Sequence, residues 1–372
     1  MKKIGIVTLL GYFNYGNRLQ NYALQETLVK LGCEVTSLKF SNDQDFLMEF
    51  SGGKTRKERI INKIKDGSIG ELVNTYHKLF QEKINRIKYK ETIELRTSKF
   101  KEFTFEYINE QDYNGKINSF DYFVVGSDQV WNPNYIINKP QFLLNFAPPS
   151  KRISYSASFG ISTLPEAVVS TYAKEIEKFK HISVREGDGK EIIQNLVNKE
   201  VPILVDPTML LSKEEWLKIA KKANNRPNSQ YILTYFLGGP SSETSTKVNK
   251  LAKERNMKVI NLGSKVDAET YATDPSEFID YINNASIFLT DSFHGVVFSI
   301  ILQTPFIVYE RIAVGSSMYS RIETLLNKFD LNNRQEKSFE GDLFNVDFSN
   351  TNEILDLEQK KSILYLKESL EL

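Results

Sequence analysis

Short apolar runs alternate with helix-like segments along most of this 372-residue chain, and this alternation restricts the possible folds more than any other feature. Residues 4–8 are apolar, residues 18–31 carry apolar side chains near helical spacing, and residues 34–40 again have the pattern of a strand. A strand–helix–strand order of this kind predicts parallel strands joined by crossover helices. The alternation returns over residues 121–205 and 231–329, so we predict an α/β protein.

A run of Asn, Arg and Pro at residues 224–228 breaks the pattern and separates it into two blocks. Each block has the order of a Rossmann-like domain, and two such domains facing across a cleft follow the general plan of the GT-B fold. Ligands of such sheets lie beyond the carboxyl ends of the strands. The predicted parts are a first domain (1–207, with a helical insertion at about 51–110), a linker (208–228), a second domain (229–345) and a C-terminal helix (350–372).

Charge and cysteine content exclude several classes of protein. The 48 Lys and Arg residues nearly balance the 47 Asp and Glu residues, whereas an electrostatic nucleic-acid binder usually has a basic excess. The single cysteine, Cys33, rules out an intrachain disulfide and a multi-cysteine metal centre. No His/Cys cluster has zinc-ligand spacing, and no G-x-G-x-x-G follows the first strand. We therefore expect no metal, no cofactor and no nucleic-acid partner.

Residues 51–101 interrupt the alternation with a helix-like stretch that carries 14 Lys or Arg against 6 Asp or Glu. One interpretation is a solvated helical insertion. The other is a basic face that approaches anionic lipid or a lipid-diphosphate-linked molecule. No apolar run approaches the roughly 20 residues that span a bilayer. We expect a cytoplasmic protein, either free or peripheral to the inner face of the membrane.

The turn after the predicted strand 286–290 contains the histidine best placed for chemistry. Ser292 is positioned to cap the following helix, which places His294 in the first helical turn, facing the cleft. Free N–H groups and the positive end of the helix dipole favour an anion there. A histidine at this position can exchange a proton with an anionic substrate. The alternative is a histidine that only packs or caps.

Two further turns of the first domain carry polar residues that suit a ligand. Arg185 ends a predicted strand and can bind phosphate or carboxylate through two hydrogen bonds, or it can pair with a neighbouring acid on the surface. Asn17, Arg18 and Gln20 lie at the start of the first helix. They suit a sugar or an anion, and the alternative is simple helix capping.

The turn at residues 126–133 brings together Ser127, Asp128 and Trp131. Asp128 can accept a proton from a sugar hydroxyl, and Trp131 can stack on a sugar face. The alternative is a helix cap and an indole in the core. The residue types do not decide between the two interpretations.

At these turns the sequence resembles the polysaccharide pyruvyltransferase family. The resemblance extends over most of the chain and rests on the order and spacing of six short stretches. They are NYGNRLQNYAL (14–24), VGSDQVWN (125–132), SVRE (183–186), VDPT (205–208), LTDSFHG (289–295) and SRI (320–322).

The resemblance implies a GT-B-like enzyme that moves the enolpyruvyl carbons of phosphoenolpyruvate onto a sugar and releases phosphate. The product is a pyruvate ketal on a capsule, exopolysaccharide or cell-wall unit. Arg185 and His294 match the family's positions for donor binding and catalysis. Ser292 stands where much of the family has a basic residue, and Arg321 is a candidate to replace that charge. We expect Ser292 and Gly295 to bind phosphate through the helix start.

These implications assign the acceptor to the first domain and the donor to the second. Phosphoenolpyruvate is the expected co-substrate, and the acceptor is a sugar, an oligosaccharide or a lipid-linked glycan. His294 is the expected general acid and base, and Asp128 the group that activates the acceptor. There are two alternative functions. The main one is a nucleotide-sugar glycosyltransferase of the same fold, and the second is a non-catalytic partner in glycan assembly.

Overall fold

The computed structural model describes most of both predicted domains. Within the described residues, no helix has both the length and the apolar character needed to cross a bilayer. The middle of the predicted basic insertion lies outside these residues, and with it most of the expected membrane-facing surface. The structure describes residues 1–11, 13–40, 84, 87–103, 105, 107–109, 115–136, 139–311 and 319–372.

Five parallel strands form the sheet of the first lobe: β1 (Lys3–Val7), β2 (Glu34–Lys39), β3 (Tyr107–Asn109), β4 (Tyr122–Val125) and β5 (Arg152–Ser154). Their order is β3-β2-β1-β4-β5, as in a Rossmann-type half. The central strand β1 is apolar on both faces, and Ile4, Ile6 and Val7 are fully buried. Continuous apolar runs of this kind are typical of parallel strands covered on both sides.

Six described helices surround this sheet or follow it in the chain. The first begins where Asn14 accepts a hydrogen bond from the Gly16 N–H, and Leu19, Leu24 and Leu28 bury one of its faces. The helices are α1 (Tyr15–Lys30), α2 (Lys90–Glu102), α3 (Pro133–Ile136), α4 (Glu166–Ile176), α5 (Gly187–Val197) and α6 (Lys213–Ile219).

The second lobe has a four-stranded parallel sheet made of β6 (Tyr231–Tyr235), β7 (Lys258–Asn261), β8 (Ile287–Thr290) and β9 (Phe306–Val308). The strand order is β7-β6-β8-β9. The last helix returns to the first lobe, where Leu366 and Leu370 pack with Ile4 and Leu24. The helices are α7 (Ser242–Glu254), α8 (Ala268–Tyr271), α9 (Pro275–Asn284), α10 (Phe293–Leu302), α11 (Ser320–Phe329) and α12 (Thr351–Leu370).

The two lobes are in direct contact through aromatic side chains. The Tyr15 ring of α1 stacks on Phe278 of α9 with centroids 4.1 Å apart, and its hydroxyl donates to the Thr273 carbonyl. Arg96 of α2 donates to the Tyr15 hydroxyl and to the Tyr271 carbonyl. The start of α1 is therefore fixed against the second lobe. The protein is α/β, with parallel sheets in two lobes that face each other as in the GT-B plan.

Three segments differ from the sequence-based expectation. Residues 107–109, placed in the helical insertion, form the edge strand β3. The predicted linker contains α6, which a Ser212–Glu215 capping box starts and whose Trp216 is fully buried. The expected strands 181–185 and 202–205 form only isolated bridges, among them Val184 with Ile203.

Candidate functional site

Two turns at the carboxyl ends of central strands meet at the lobe interface. β4 leads into Asp128, and β8 leads into Ser292, where α10 begins. Ser292 is the N-cap of α10, because its hydroxyl accepts the Gly295 N–H at 3.3 Å. Ser292 and Gly295, both predicted to bind phosphate, thus pair with each other here. His294 follows in the first turn of this helix.

The His294 imidazole is held between the lobes. It is 5% exposed and lies directly on the Gly16 backbone, so that a Cβ atom at Gly16 would be 1.9 Å from Nδ1. On its other edge, Nε2 is 3.4 Å from the Asp206 carboxylate. Only glycine leaves room for the ring in this position. The histidine therefore faces polar groups of the first lobe rather than an apolar interior.

Asp206 is the fully buried acid around which this side of the site is organised. Its Oδ2 accepts from the Ser127 hydroxyl at 3.0 Å and from Arg185 Nη1 at 2.7 Å, and its Oδ1 accepts twice from Thr208. Burial opposes ionisation, but His294, Arg185 and Thr208 outweigh it and hold the pKa of Asp206 below its usual range. The carboxylate that faces His294 Nε2 is therefore charged.

Two buried arginines lie next to the histidine. Arg185 also donates to Asp128 Oδ1 at 3.2 Å, and its guanidinium lies 4.3 Å from the centre of the Phe293 ring. The Arg321 guanidinium, from α11 of the second lobe, lies 5.6 Å from the same ring and 3.9 Å from Asp128 Oδ1. The interface thus concentrates two cations around one aromatic ring.

The Arg321 side chain is buried, with 5% of its surface exposed. Its guanidinium nevertheless makes no hydrogen bond to any residue that the structure describes. Burial, and then the charge of Arg185, lower its pKa to about 10. An unpaired donor in such a place costs roughly 1–3 kcal/mol, and more when it is charged. An anion bound between the lobes would supply the missing acceptors.

Other buried polar atoms around this interface also lack a hydrogen-bond partner among the described residues. Native proteins satisfy nearly all such atoms, so a group of them points to an absent ligand. They are Asn17 Oδ1, Arg185 Nε, Glu186 Oε2, His294 Nε2, Arg311 Nε and Arg321 Nε.

Asp128 accepts hydrogen bonds from neighbouring residues through one carboxylate oxygen. Its backbone has φ of 66°, a left-handed conformation that aspartate tolerates better than most residues. Its Oδ1 accepts the Gln129 N–H at 2.9 Å as well as Arg185, and it lies near Arg321. In this arrangement the carboxylate holds the arginines in place.

Trp131 does not line the interface, so the prediction that it stacks on a sugar is wrong. The indole is fully buried, donates to the Phe142 carbonyl at 3.1 Å and packs against Phe159 and Phe179. The other interpretation of its position, an indole in the core, is the one observed.

Three more predicted acceptor-binding residues have internal partners. Gln20 donates to the Thr8 hydroxyl and accepts the Ser127 N–H, while the Ser127 hydroxyl is used by Asp206. Arg18 donates to the Phe103 carbonyl beside α2. These side chains organise the turns rather than offer free donors. Asn17 keeps a buried, unpartnered oxygen at the interface.

Sequence reasoning did not select two acids that the structure places here, Asp206 and Glu186. Both follow predicted strands, but acids at such positions are common and neither spacing nor composition marks them. The side chains of the cluster are buried. A separate cavity on the flank, lined by Lys99, Asn225, Glu269 and Tyr281 among others, includes none of these residues.

Comparison with solved structures gives only distant similarities. A putative UDP-N-acetylglucosamine 2-epimerase from Listeria monocytogenes is 12% identical, with a TM-score of 0.42, over 95% of this chain and 94% of that chain. UGT89C1 from Arabidopsis thaliana, complexed with quercetin, is 8% identical, with a TM-score of 0.41, over 99% of this chain and 93% of that chain. Similarities at this level carry no information on activity. No curated protein matches the chain.

The family comparison is informative, because it matches the part of the chain that builds the site. The family model described as polysaccharide pyruvyl transferase matches residues 14–311, from the turn that caps α1 to Arg311 beside Asp291. This range includes Asp128, Arg185 and His294. The chain belongs to the polysaccharide pyruvyl transferase family and is a transferase.

Proposed function

We propose that this protein transfers the enolpyruvyl carbons of phosphoenolpyruvate to a sugar of a polysaccharide or its precursor, with formation of a pyruvate ketal and release of phosphate. The observation that carries the proposal is the buried Arg321 guanidinium without a hydrogen-bond partner among the described residues, beside Arg185 and His294. Phosphoenolpyruvate has a phosphate and a carboxylate on one three-carbon unit. Each matches the two-pronged geometry of a guanidinium.

The acid–base chemistry fits a histidine beside these arginines. Protonated His294 gives a proton to the methylene carbon of phosphoenolpyruvate, and C2 becomes electrophilic. One sugar hydroxyl adds to C2, phosphate leaves, and a second hydroxyl closes the ketal. The arginines stabilise charge on the phosphate as it departs. Arg321 also supplies positive charge that Ser292 lacks at the family's usual basic position.

Isothermal titration with phosphoenolpyruvate, followed by a phosphate-release assay, tests the proposal. The assay uses methyl pyranosides of glucose, galactose and mannose as acceptor probes. We expect binding, release of phosphate, and a glycoside product that has gained pyruvate less one water, with a new ketal methyl signal in the proton spectrum. His294→Ala should bind phosphoenolpyruvate but release phosphate about 100-fold or more slowly.

Two results would overturn this function. The first is no binding of phosphoenolpyruvate by the intact wild-type chain. The second is release of a nucleoside diphosphate from UDP- or GDP-sugars, which would instead identify a nucleotide-sugar glycosyltransferase.

A further inference from the structure

Glu186 is a buried carboxylate with one occupied and one unoccupied oxygen. It directly follows Arg185, at the start of α5, and is fully buried. Its Oε1 accepts three hydrogen bonds, from the Ser158 hydroxyl at 2.9 Å, the Phe159 N–H at 2.8 Å and the Gly160 N–H at 3.2 Å. Three donors on one oxygen fix the orientation of the carboxylate.

The second oxygen, Oε2, is buried and has no hydrogen-bond partner among the described residues. A structural role in holding residues 158–160 uses Oε1 alone and leaves Oε2 unexplained. A buried acceptor without a donor is destabilising. A ligand hydroxyl is the kind of group that would complete it.

The surroundings of Glu186 place it at the candidate site. Helix α5 packs against α11 of the second lobe, which carries Arg321. Burial is the largest influence on the pKa of both Arg185 and Arg321 and lowers it, and the charge of Glu186 is close enough to each guanidinium to oppose that effect. The carboxylate therefore lies next to the arginine pair that the proposed function assigns to phosphoenolpyruvate.

Glu186 and Asp128 are the two acids near Arg321, and they differ in how they pair with the arginines. Asp128 Oδ1 receives the Gln129 N–H and Arg185. Glu186 receives no arginine hydrogen bond and keeps Oε2 unoccupied. The sequence-based expectation gave the activation of the acceptor to Asp128. We infer that Glu186 Oε2 is instead the base that takes the proton of the attacking sugar hydroxyl; this inference rests on the proposed function.

The proton balance of the full reaction closes with two groups. In the first step Glu186 takes the proton of one hydroxyl, the hydroxyl oxygen bonds to C2, and His294 gives its proton to C3. In the second step the bond between C2 and the phosphate oxygen breaks, and Glu186 returns its proton to the phosphate. The second hydroxyl then bonds to C2 and gives its proton to His294. Both side chains end in their starting states.

Glu186→Gln tests the role, because glutamine keeps an oxygen for the three donors to Oε1 and removes the base. We expect kcat for phosphate release to fall by about 100-fold or more. The affinity for phosphoenolpyruvate should be unchanged or higher, since a negative charge beside the arginines is removed.

One control variant separates catalysis from a general loss of negative charge at this helix start. Asp188→Asn removes a neighbouring acid from the first turn of α5, so its activity should stay within about threefold of wild type. Thermal unfolding of both variants checks that the fold is intact.

A readout that needs no glycan is hydrolysis of phosphoenolpyruvate, in which water replaces the hydroxyl and pyruvate is released slowly. Slow release by wild type and its loss in Glu186→Gln support the inference. Retention of kcat within threefold by Glu186→Gln overturns it, and so does loss of phosphoenolpyruvate binding together with a lower Tm. A wild-type protein that does not bind phosphoenolpyruvate at all overturns the proposed function and, with it, this inference.

Discussion

Two arginines are buried at the same lobe interface, and they differ in the hydrogen bonds that their guanidinium groups make. Arg96 is 2% exposed and donates to the Tyr15 hydroxyl at 3.0 Å, to the Phe13 carbonyl at 2.8 Å and to the Tyr271 carbonyl. Its guanidinium also lies 4.5 Å from the centre of the Tyr15 ring. Arg321 is 5% exposed and donates to no residue that the structure describes.

This difference separates a structural cation from a ligand-binding one. Arg96 donates to oxygens of both lobes, so its charge stabilises the contact between them, although its Nε has no partner among the described residues. Arg321 has an ion pair with Asp128 at 3.9 Å but no hydrogen bond, so the burial of its charge is poorly compensated until an anion binds. The buried fraction alone does not distinguish the structural arginine from the ligand-binding one, whereas the hydrogen bonds of each guanidinium do.

Removal of Arg96 should produce the largest loss of stability. Arg96→Met keeps the apolar stem but leaves the Phe13 and Tyr271 carbonyls without their donor, so the free energy of unfolding should fall by about 3–5 kcal/mol. Urea unfolding monitored by tryptophan fluorescence measures this. A loss below about 1 kcal/mol would contradict a structural role for this arginine.

Removal of Arg321 should act on binding rather than on folding. Arg321→Met should weaken phosphoenolpyruvate binding by about 100-fold, because a desolvated charge pair is lost. Titration calorimetry measures the change, and Arg255→Met, an exposed arginine of the second lobe, is the matched control. Equal affinities for the two variants would remove Arg321 from the donor site.

Gly16 connects the two arginine regions, since it follows Tyr15 and supports His294. Gly16→Ala places a methyl group where the imidazole lies, so the ring must move. We expect phosphate release to slow by about 10- to 100-fold, with a smaller effect on phosphoenolpyruvate binding. Gly187→Ala, in open space at the start of α5, is the control and should have little effect on phosphate release. If the two alanine variants are equally active, the contact with Gly16 does not position His294.

The smallest expected effect is an increase in the stability of the ligand-free protein. Arg321→Met should stabilise the ligand-free protein by about 1–3 kcal/mol, the reverse of Arg96→Met. Burial, and then the charge of Arg185, lower the pKa of Arg321 to about 10, so the charged form is penalised in the folded state. The gain should therefore be complete below about pH 9 and shrink as the pH rises through 10. Parallel urea titrations at pH 7 and above pH 10 measure it, and a loss of stability at pH 7 would contradict the comparison.

The sequence predicted the parts of the site that depend on local rules. Helix 293–302 begins at the Ser292 cap that the sequence predicts, because capping acts within a few residues. The meeting of Asp128, Arg185 and His294 follows from the shared carboxyl edges of parallel sheets. These features need no knowledge of how distant segments pack.

Side-chain direction could not be predicted in the same way. Trp131 and Ser127 lie in the expected turn, yet they point into the core and toward Asp206, a choice set by distant contacts. Glu186 is likewise distinguished only by the hydrogen bonds that it accepts from residues 158–160, which are distant in sequence. The edge strand β3 has only 3 residues, too few for a periodic signal.

The burial of the site around His294 also bears on how the reaction can end. In the proposed chemistry, departure of phosphate leaves a cationic carbon that bulk water would capture as free pyruvate. Burial between the two lobes excludes bulk water and keeps the second sugar hydroxyl as the nearest nucleophile, so the carbon ends in the ring of the ketal. The lobes must then part to release the product, which makes their separation a candidate for the slow step of turnover.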